Sequence, residues 1–166
     1  YRGNIDSINI SLENKDFKGV LTKEKYKDTL HYWFKDIEFD SLHFKIENKD
    51  SINYFKIPKK DFESDTLIIS NQNNSMDLGK KFILNSSIPI DKFNSKKISI
   101  INKDSVIQTF KSKIVDGVDL ILDFDILPND KYLIEILPKG IIDFFGNTTD
   151  TLNYSFTTKK RSDFGN

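Results

Sequence analysis

The sequence predicts an all-β protein built as two consecutive antiparallel β-sandwich modules. Three observations carry that expectation. Apolar and polar residues alternate with period two along most of the chain, the pattern of strands that pack on a core from one side. Turn signals recur roughly every 8–15 residues, the spacing of short sandwich strands. Nowhere do apolar residues keep helical spacing for more than about one turn. The clearest stretch is residues 130–157. There Tyr132, Ile134 and Ile136 alternate with Lys131, Leu133 and Glu135, a Pro-Lys-Gly turn follows, and Leu152, Tyr154 and Phe156 alternate with Thr151, Asn153, Ser155 and Thr157.

In chain order, Ile8, Ile10 and Leu12 mark a first strand and residues 14–16 a turn. A short strand is expected over 17–22, a charged loop over 23–27 and a strongly β-prone run over 28–35. Residues 41–47 put Leu42, Phe44 and Ile46 inward; 52–57 form the next strand, closed by Pro58, which cannot continue a central strand. Residues 65–70 read as a further strand. The first module is therefore expected to span 1–72. The polar, Asn-rich segment 73–79 is the linker. The second module spans 80–160, and 161–166 start a linker to a following module. Phe82 and Leu84 open the second module, and Pro89 breaks the pattern. Strands are expected at 97–101 and 105–115. Asp116-Gly117 is a hairpin dipeptide, and 117–124 places Val118, Leu120, Leu122 and Phe124 on one face. The chain opens on Tyr1 and stops as a loop leads onward, so it is expected to be an internal piece of a longer protein.

Composition narrows function by exclusion. Hydrophobic residues make up 37%, but 14 Phe supply large side chains for sandwich cores. The formal net charge is zero and the Lys-Lys pairs are dispersed, which argues against a nucleic-acid partner. The absence of cysteine removes disulfides, thiolate metal sites and a Cys nucleophile. No apolar run approaches the roughly 20 residues of a membrane-spanning helix.

No reactive constellation emerges, so no enzyme activity and no cofactor are expected. Asp143, Gly146 and Asn147 suit a tight turn, with Gly and Asn tolerating positive φ and the Asp side chain accepting backbone N–H groups. Asp116, Asp119, Asp123, Asp125 and Asp130 raise the question of calcium. Asp119 and Asp123 would stand about 13 Å apart along a strand, too far for one ion, so a solvated face is expected. His31 and His43 are the only histidines, too few for a usual zinc site, although they would face each other if their strands paired. Trp33 lies opposite Leu30, Tyr32 and Phe34, which gives that strand large apolar groups on both faces. It is the candidate interface aromatic, set to pack under a loop or the second module or to meet a partner. The alternative is an aromatic platform for a sugar ring.

Three motifs in order, F-I-L-N-S-S-I-P-I-D (82–91), K-Y-L-I-E-I (131–136) and P-K-G-I-I-D-F-F-G-N (138–147), resemble the bacterial Ig-like domain of SbsA type found in S-layer and Bacteroidota envelope proteins. K-D-T-L-H-Y-W-F (27–34) and F-D-S-L-H-F-K-I (39–46) resemble the segment preceding that domain in a group of Bacteroidota outer-membrane lipoproteins. The resemblance implies an Ig-like second module. It also implies an exported, multi-module protein at the outer membrane, on its periplasmic face or at the cell surface, held by a lipid anchor outside this chain. Other envelope proteins would be its partners, as in an outer-membrane assembly, and no catalytic residue carries over. Asp-Ser/Thr-aliphatic triplets recur at 6–8, 28–30, 40–42, 50–52, 65–67, 104–106 and 150–152. As local chemistry they are strand entries, with Asp ending a turn and Ser or Thr opening the wet face. They also resemble the O-glycosylation signal of exported Bacteroidota proteins, which makes Ser7, Thr29, Ser41, Ser51, Thr66, Ser105 and Thr151 candidate acceptors. The expected function is a non-catalytic structural or protein-interaction module; the alternative is a carbohydrate-binding module of a glycan capture or uptake system.

Overall fold

A computed structural model describes residues 8–12, 19–24, 27, 29–35, 41–49, 51–58, 65–71, 75–160 and 162. Among them there is no α-helix, and the chain is all-β. It divides into two compact units, Tyr1–Ser64 and Asp65–Asn166.

The first unit carries β1 (Asn9–Leu12), β2 (Val20–Lys23), β3 (Leu30–Trp33), β4 (Ser41–Asn48) and β5 (Ser51–Pro58). β1, β4 and β5 form an antiparallel three-stranded sheet in the order β1-β4-β5, and β2 and β3 form a separate antiparallel hairpin. The alternation in β4 sends Leu42 and Phe44 inward, and Ile10, Tyr32 and Phe34 pack against them. The Phe44 ring meets Tyr32 and Phe34 edge-on, each at 6.0 Å. This small aromatic cluster joins the sheet to the hairpin. Gly19 leaves room for it: a Cβ there would stand 2.3 Å from the Tyr32 ring. The turn expected at 14–16 and the start of the strand expected at 17–22 lie outside the described residues.

The second unit continues with β6 (Ile69–Asn71), β7 (Ser75–Met76), β8 (Phe82–Ser86), β9 (Ile90–Phe93), β10 (Ile98–Asn102), β11 (Lys111–Val115), β12 (Asp119–Asp123), β13 (Lys131–Ile136), β14 (Ile141–Asp143) and β15 (Leu152–Thr158). One sheet runs β11-β12-β8-β6, the other β10-β13-β15-β7, and β9 pairs with β14. Both sheets send side chains into one core. Phe82, Leu84, Leu120 and Leu122 come from the first; Ile98, Ile100, Tyr132, Ile134, Ile136 and Phe156 come from the second. Phe82 stacks on Phe156 at 5.4 Å, Phe156 on Tyr132 at 5.2 Å, and Phe124 meets Tyr132 at 5.4 Å, so a run of rings crosses the interior. This is the two-layer packing of a β-sandwich.

The structure departs from the sequence expectation at several places. The strand expected over 65–70 is incorporated in the second unit: β6 pairs with β8, and Ser87 ties its start through its N–H to the Ile68 carbonyl and its Oγ to the Thr66 carbonyl. The expected strand 105–115 is shorter. Its first half folds back as a turn, closed by Asn102 Oδ1, which accepts the N–H groups of Asp104 and Val106. Strands β9 and β14 flank positions that had read as breaks. Antiparallel pairing is not universal, because β7 lies parallel to β15.

Candidate interaction surface

The most exposed regular element is β5. Its sequence, S-I-N-Y-F-K-I-P, is strand-forming because β-branched and aromatic residues alternate with small and polar ones. It pairs with β4 over its full length, from Asn48↔Ser51 to Ser41↔Pro58, across a two-residue turn. The Asn48 side chain closes that turn by accepting the Lys49 N–H at 2.6 Å. All eight residues of β5 are exposed, among them Ile52 (54%), Tyr54 (61%), Phe55 (52%) and Ile57 (46%). Phe55 and Ile57 stand opposite Phe44 and Leu42 on the core face, yet the Tyr32–Phe34 cluster reaches only the β4 side of it. Ile52 and Tyr54 stand opposite Glu47 and Lys45 on the other face. The strand therefore offers apolar groups on both faces, and among the described strands β5 lies at the end of its sheet.

The backbone of that edge is ordered by the hairpin. In an antiparallel pair, hydrogen-bonded and non-hydrogen-bonded positions alternate, and a two-residue turn starts the series with the pair beside it. Asn48↔Ser51 is then a bonded pair. Ile52, Tyr54, Lys56 and Pro58 fall at the positions whose backbone groups point away from β4. Pro58 fits there because its missing N–H costs β4 nothing.

Trp33 is half-buried at the end of β3, and its Nε1 donates to Thr22 Oγ1 at 2.8 Å across the β2–β3 pair. Its ring stacks with His31 at 6.0 Å. The indole is thus engaged within its own hairpin. His31 and His43 are not brought together, because β3 pairs with β2 whereas β4 pairs with β1 and β5. His31 lies 3.9 Å from Glu24, whose carboxyl is held below the usual range by Lys27; His43 contacts Ser41 Oγ at 3.2 Å.

Asp119, Asp130 and Asp143 make internal hydrogen bonds. Asp119, expected on a solvated face, is buried and accepts from Asn85 Nδ2 at 2.8 Å across the β12–β8 pair. Asp123 is exposed and pairs with Lys81. Asp130 is buried and accepts the N–H groups of Lys131 at 2.8 Å and Lys103 at 3.3 Å. Among the described residues no three His, Asp or Glu converge on a metal position. Asp143 receives the Asn147 N–H at 2.8 Å and Asn147 Nδ2 at 2.9 Å, while Gly146 sits at φ +94°, as the turn chemistry requires.

The candidate glycan acceptors are scattered and do not form one site. Ser51, Thr66, Ser105 and Thr151 are exposed, Thr29 and Ser41 are partly buried, and Ser7 lies outside the described residues. Ser41 and Ser51 open β4 and β5, and Thr29 and Thr151 immediately precede β3 and β15, in keeping with strand entry. Ser105 does not: it sits in a turn at φ +60°.

Sequence reasoning placed Tyr132 in the core but missed its second role. The ring is fully buried, and its hydroxyl accepts the Leu127 N–H at 2.8 Å and donates to the Asp125 carbonyl at 3.5 Å. Burial raises its pKa first, and the Asp130 carboxylate adds to the effect. The signal available was a Tyr at the second position of a strand entered from a Pro-Asn-Asp turn.

No family model matches the chain, and no curated protein matches it.

Proposed function

We propose that this chain is a non-catalytic structural and protein-interaction module of a cell-envelope lipoprotein, and that it meets its partner through the β5 edge. The observation that carries this reading is β5 itself, an eight-residue strand with exposed Ile52, Tyr54, Phe55 and Ile57 at the end of a sheet. Such an edge binds another extended segment by main-chain pairing, and side chains on both faces supply selectivity. An Ig-like identity for the second unit is supported by its strand order. With β6, β8, β12 and β11 as one sheet and β10, β13 and β15 as the other, it follows the A-B-E-D and C-F-G arrangement, and the Tyr132 hydroxyl reaches back to the backbone before β13 as a tyrosine corner does. The envelope setting and an anchor outside this chain are supported by the resemblance of residues 27–46 and 80–158. The sugar-binding reading wants exposed rings in one plane, but Tyr54 and Phe55 stand on opposite faces and Trp33 is bonded to Thr22.

The test is site-specific photo-crosslinking in the full-length protein in native membranes. A photoreactive residue at position 54 should give a discrete protein adduct, and one at Lys113 on the charged edge of β11 should not. Absence of an adduct at 54, or equal labelling at both positions, refutes the edge as the contact surface. Fractionation that leaves the full-length protein in the cytoplasm refutes the envelope setting.

A further inference from the structure

We infer that the second unit is a load-bearing module, with the β7–β15 pair as the lock that resists tension along the chain. The inference goes beyond the edge reading and does not depend on it. The chain comes into β6 at one end of the unit. There the Ile68 N–H donates to Ser87 Oγ at 2.9 Å, and the Ile68 carbonyl accepts the Ser87 N–H at 2.9 Å, just past the last residue of β8. The Tyr154 hydroxyl donates to the Ile69 carbonyl at 2.9 Å, which sets the start of β6 beside the first half of β15. Further along, β7 pairs in parallel with the end of β15, Ser75 with Thr157 and Met76 with Thr158. The incoming chain and β15 therefore advance in one direction, so the chain reaches the unit at one end and leaves it at the other. Tension between residues 65 and 160 pulls β7 and β15 in opposite senses along their length. Such a load stretches the hydrogen bonds of the pair together, whereas a load applied at one end of a pair opens them in turn.

Both loaded segments are fixed where the force arrives. Met76 is 1% exposed in the core shared by the two sheets, so β7 cannot slide toward the incoming end without drawing that side chain out of close packing. Ile69 packs against the same core, and β6 adds three antiparallel pairs to β8. At the outgoing end the Thr158 N–H donates to the Asp130 carbonyl at 2.9 Å, and Thr158 Oγ1 accepts the Asp130 N–H at 2.9 Å. The Lys159 carbonyl accepts the Asn129 N–H at 3.1 Å. One step beyond the Met76–Thr158 pair, Lys159 Nζ meets Asp77 Oδ1 at 3.1 Å and continues the register. That ion pair is exposed and contributes little alone. Load thus reaches the parallel pair with its ends held. β7 is only two residues long, and its place between the two chain ends is what gives it this part.

Single-molecule pulling of the full chain tests the lock by direction. The chain has no cysteine, so engineered thiols are unique handles. Asp65→Cys with Lys160→Cys loads the second unit along its strands. Lys80→Cys with Lys160→Cys loads it at the outgoing end alone, where the pair opens bond by bond. All three sites are exposed, so the handles keep the fold, which far-UV circular dichroism verifies. At equal constant force the first handle pair should unfold about tenfold more slowly than the second, or slower still. Equal rates, or slower unfolding from the second pair, overturn the lock. Tyr154→Phe removes the bond to the Ile69 carbonyl. It should speed unfolding about twofold in the first geometry and leave the second almost unchanged. No acceleration, or the same acceleration in both geometries, overturns the part given to Tyr154. Neither handle pair loads the first unit, so a failed lock leaves the β5 reading standing, and a missing adduct at position 54 leaves the lock standing.

Discussion

The two units treat their sheet edges in opposite ways. In the second unit the outer strands of the two four-stranded sheets are shortened, charged or covered. β6 has three residues and β7 two; β11 turns Lys111 and Lys113 to solvent; and the outer side of β10 is closed by its own connection, through the Ile101↔Ile107 bridge and the Gln108 N–H on the Ile100 carbonyl at 2.8 Å. These are devices that keep a β protein from pairing with strangers. In the first unit β5 is eight residues long, pairs fully with β4 and exposes four large apolar side chains, two on each face. The cores differ in parallel. Among the described residues, the second unit gathers thirteen buried apolar residues into one core cluster, and the first gathers Leu42 and Phe44 with three partly buried neighbours. One unit covers the outer strands of its sheets; the other leaves β5 exposed.

The largest test of that contrast lies in the second core. Ile134, fully buried between the sheets, should cost about 2–5 kcal/mol when changed to Ala. Ile57→Ala on the exposed edge should stay within about 0.5 kcal/mol. Denaturant titration of both variants measures the difference. Fluorescence of Trp33, the sole tryptophan, reports on the first unit.

Next in size is Gly19→Ala. The new Cβ drives into the Tyr32 ring, which is itself packed on Phe44, so the first unit should lose about 1–3 kcal/mol, read by the same fluorescence. An unchanged transition would show that the small cluster is not what holds hairpin to sheet.

Tyr132→Phe should destabilise the second unit by about 1–2 kcal/mol, because the Leu127 N–H loses its acceptor. The pKa of Tyr132 is raised in the folded state, so its contribution is full below the unfolded value of about 10 and lost as pH rises through the higher folded one. Stability curves above pH ~10 should fall less steeply in the Phe variant than in wild type.

The smallest effect belongs to Asp77, whose carboxyl is held below its ordinary value by Lys80 and Lys159. A lowered pKa means stability present above the unfolded value and lost as pH falls through the folded one, hence below about pH 4. Asp77→Asn should lower the neutral stability of the second unit slightly and flatten its acid limb by the same small amount. A neutral loss much larger than the change in the acid limb would mean the carboxylate does more than pair with two exposed lysines.

Several of these positions could be read from the chain alone, for a local reason. Side chains on a strand alternate whatever the strand pairs with, so Tyr132, Ile134, Ile136, Leu120, Leu122, Leu42 and Phe44 declare their inward face by spacing. The Asp143–Asn147 turn is equally local, set by which residues tolerate positive φ and which side chains reach a neighbouring N–H. Pairing is not local. Residues 69–71 look the same whether they close the first unit or open the second, and their place was settled by hydrogen-bond partners in β8. Asp119 reads as wet by alternation and is buried because Asn85 stands opposite to accommodate its carboxylate. β5 alternates like any half-buried strand; that it ends its sheet, with little over either face, follows from how many strands and layers assemble beside it. Period and turn chemistry are properties of neighbours in sequence, whereas edges and covered faces are properties of neighbours in space.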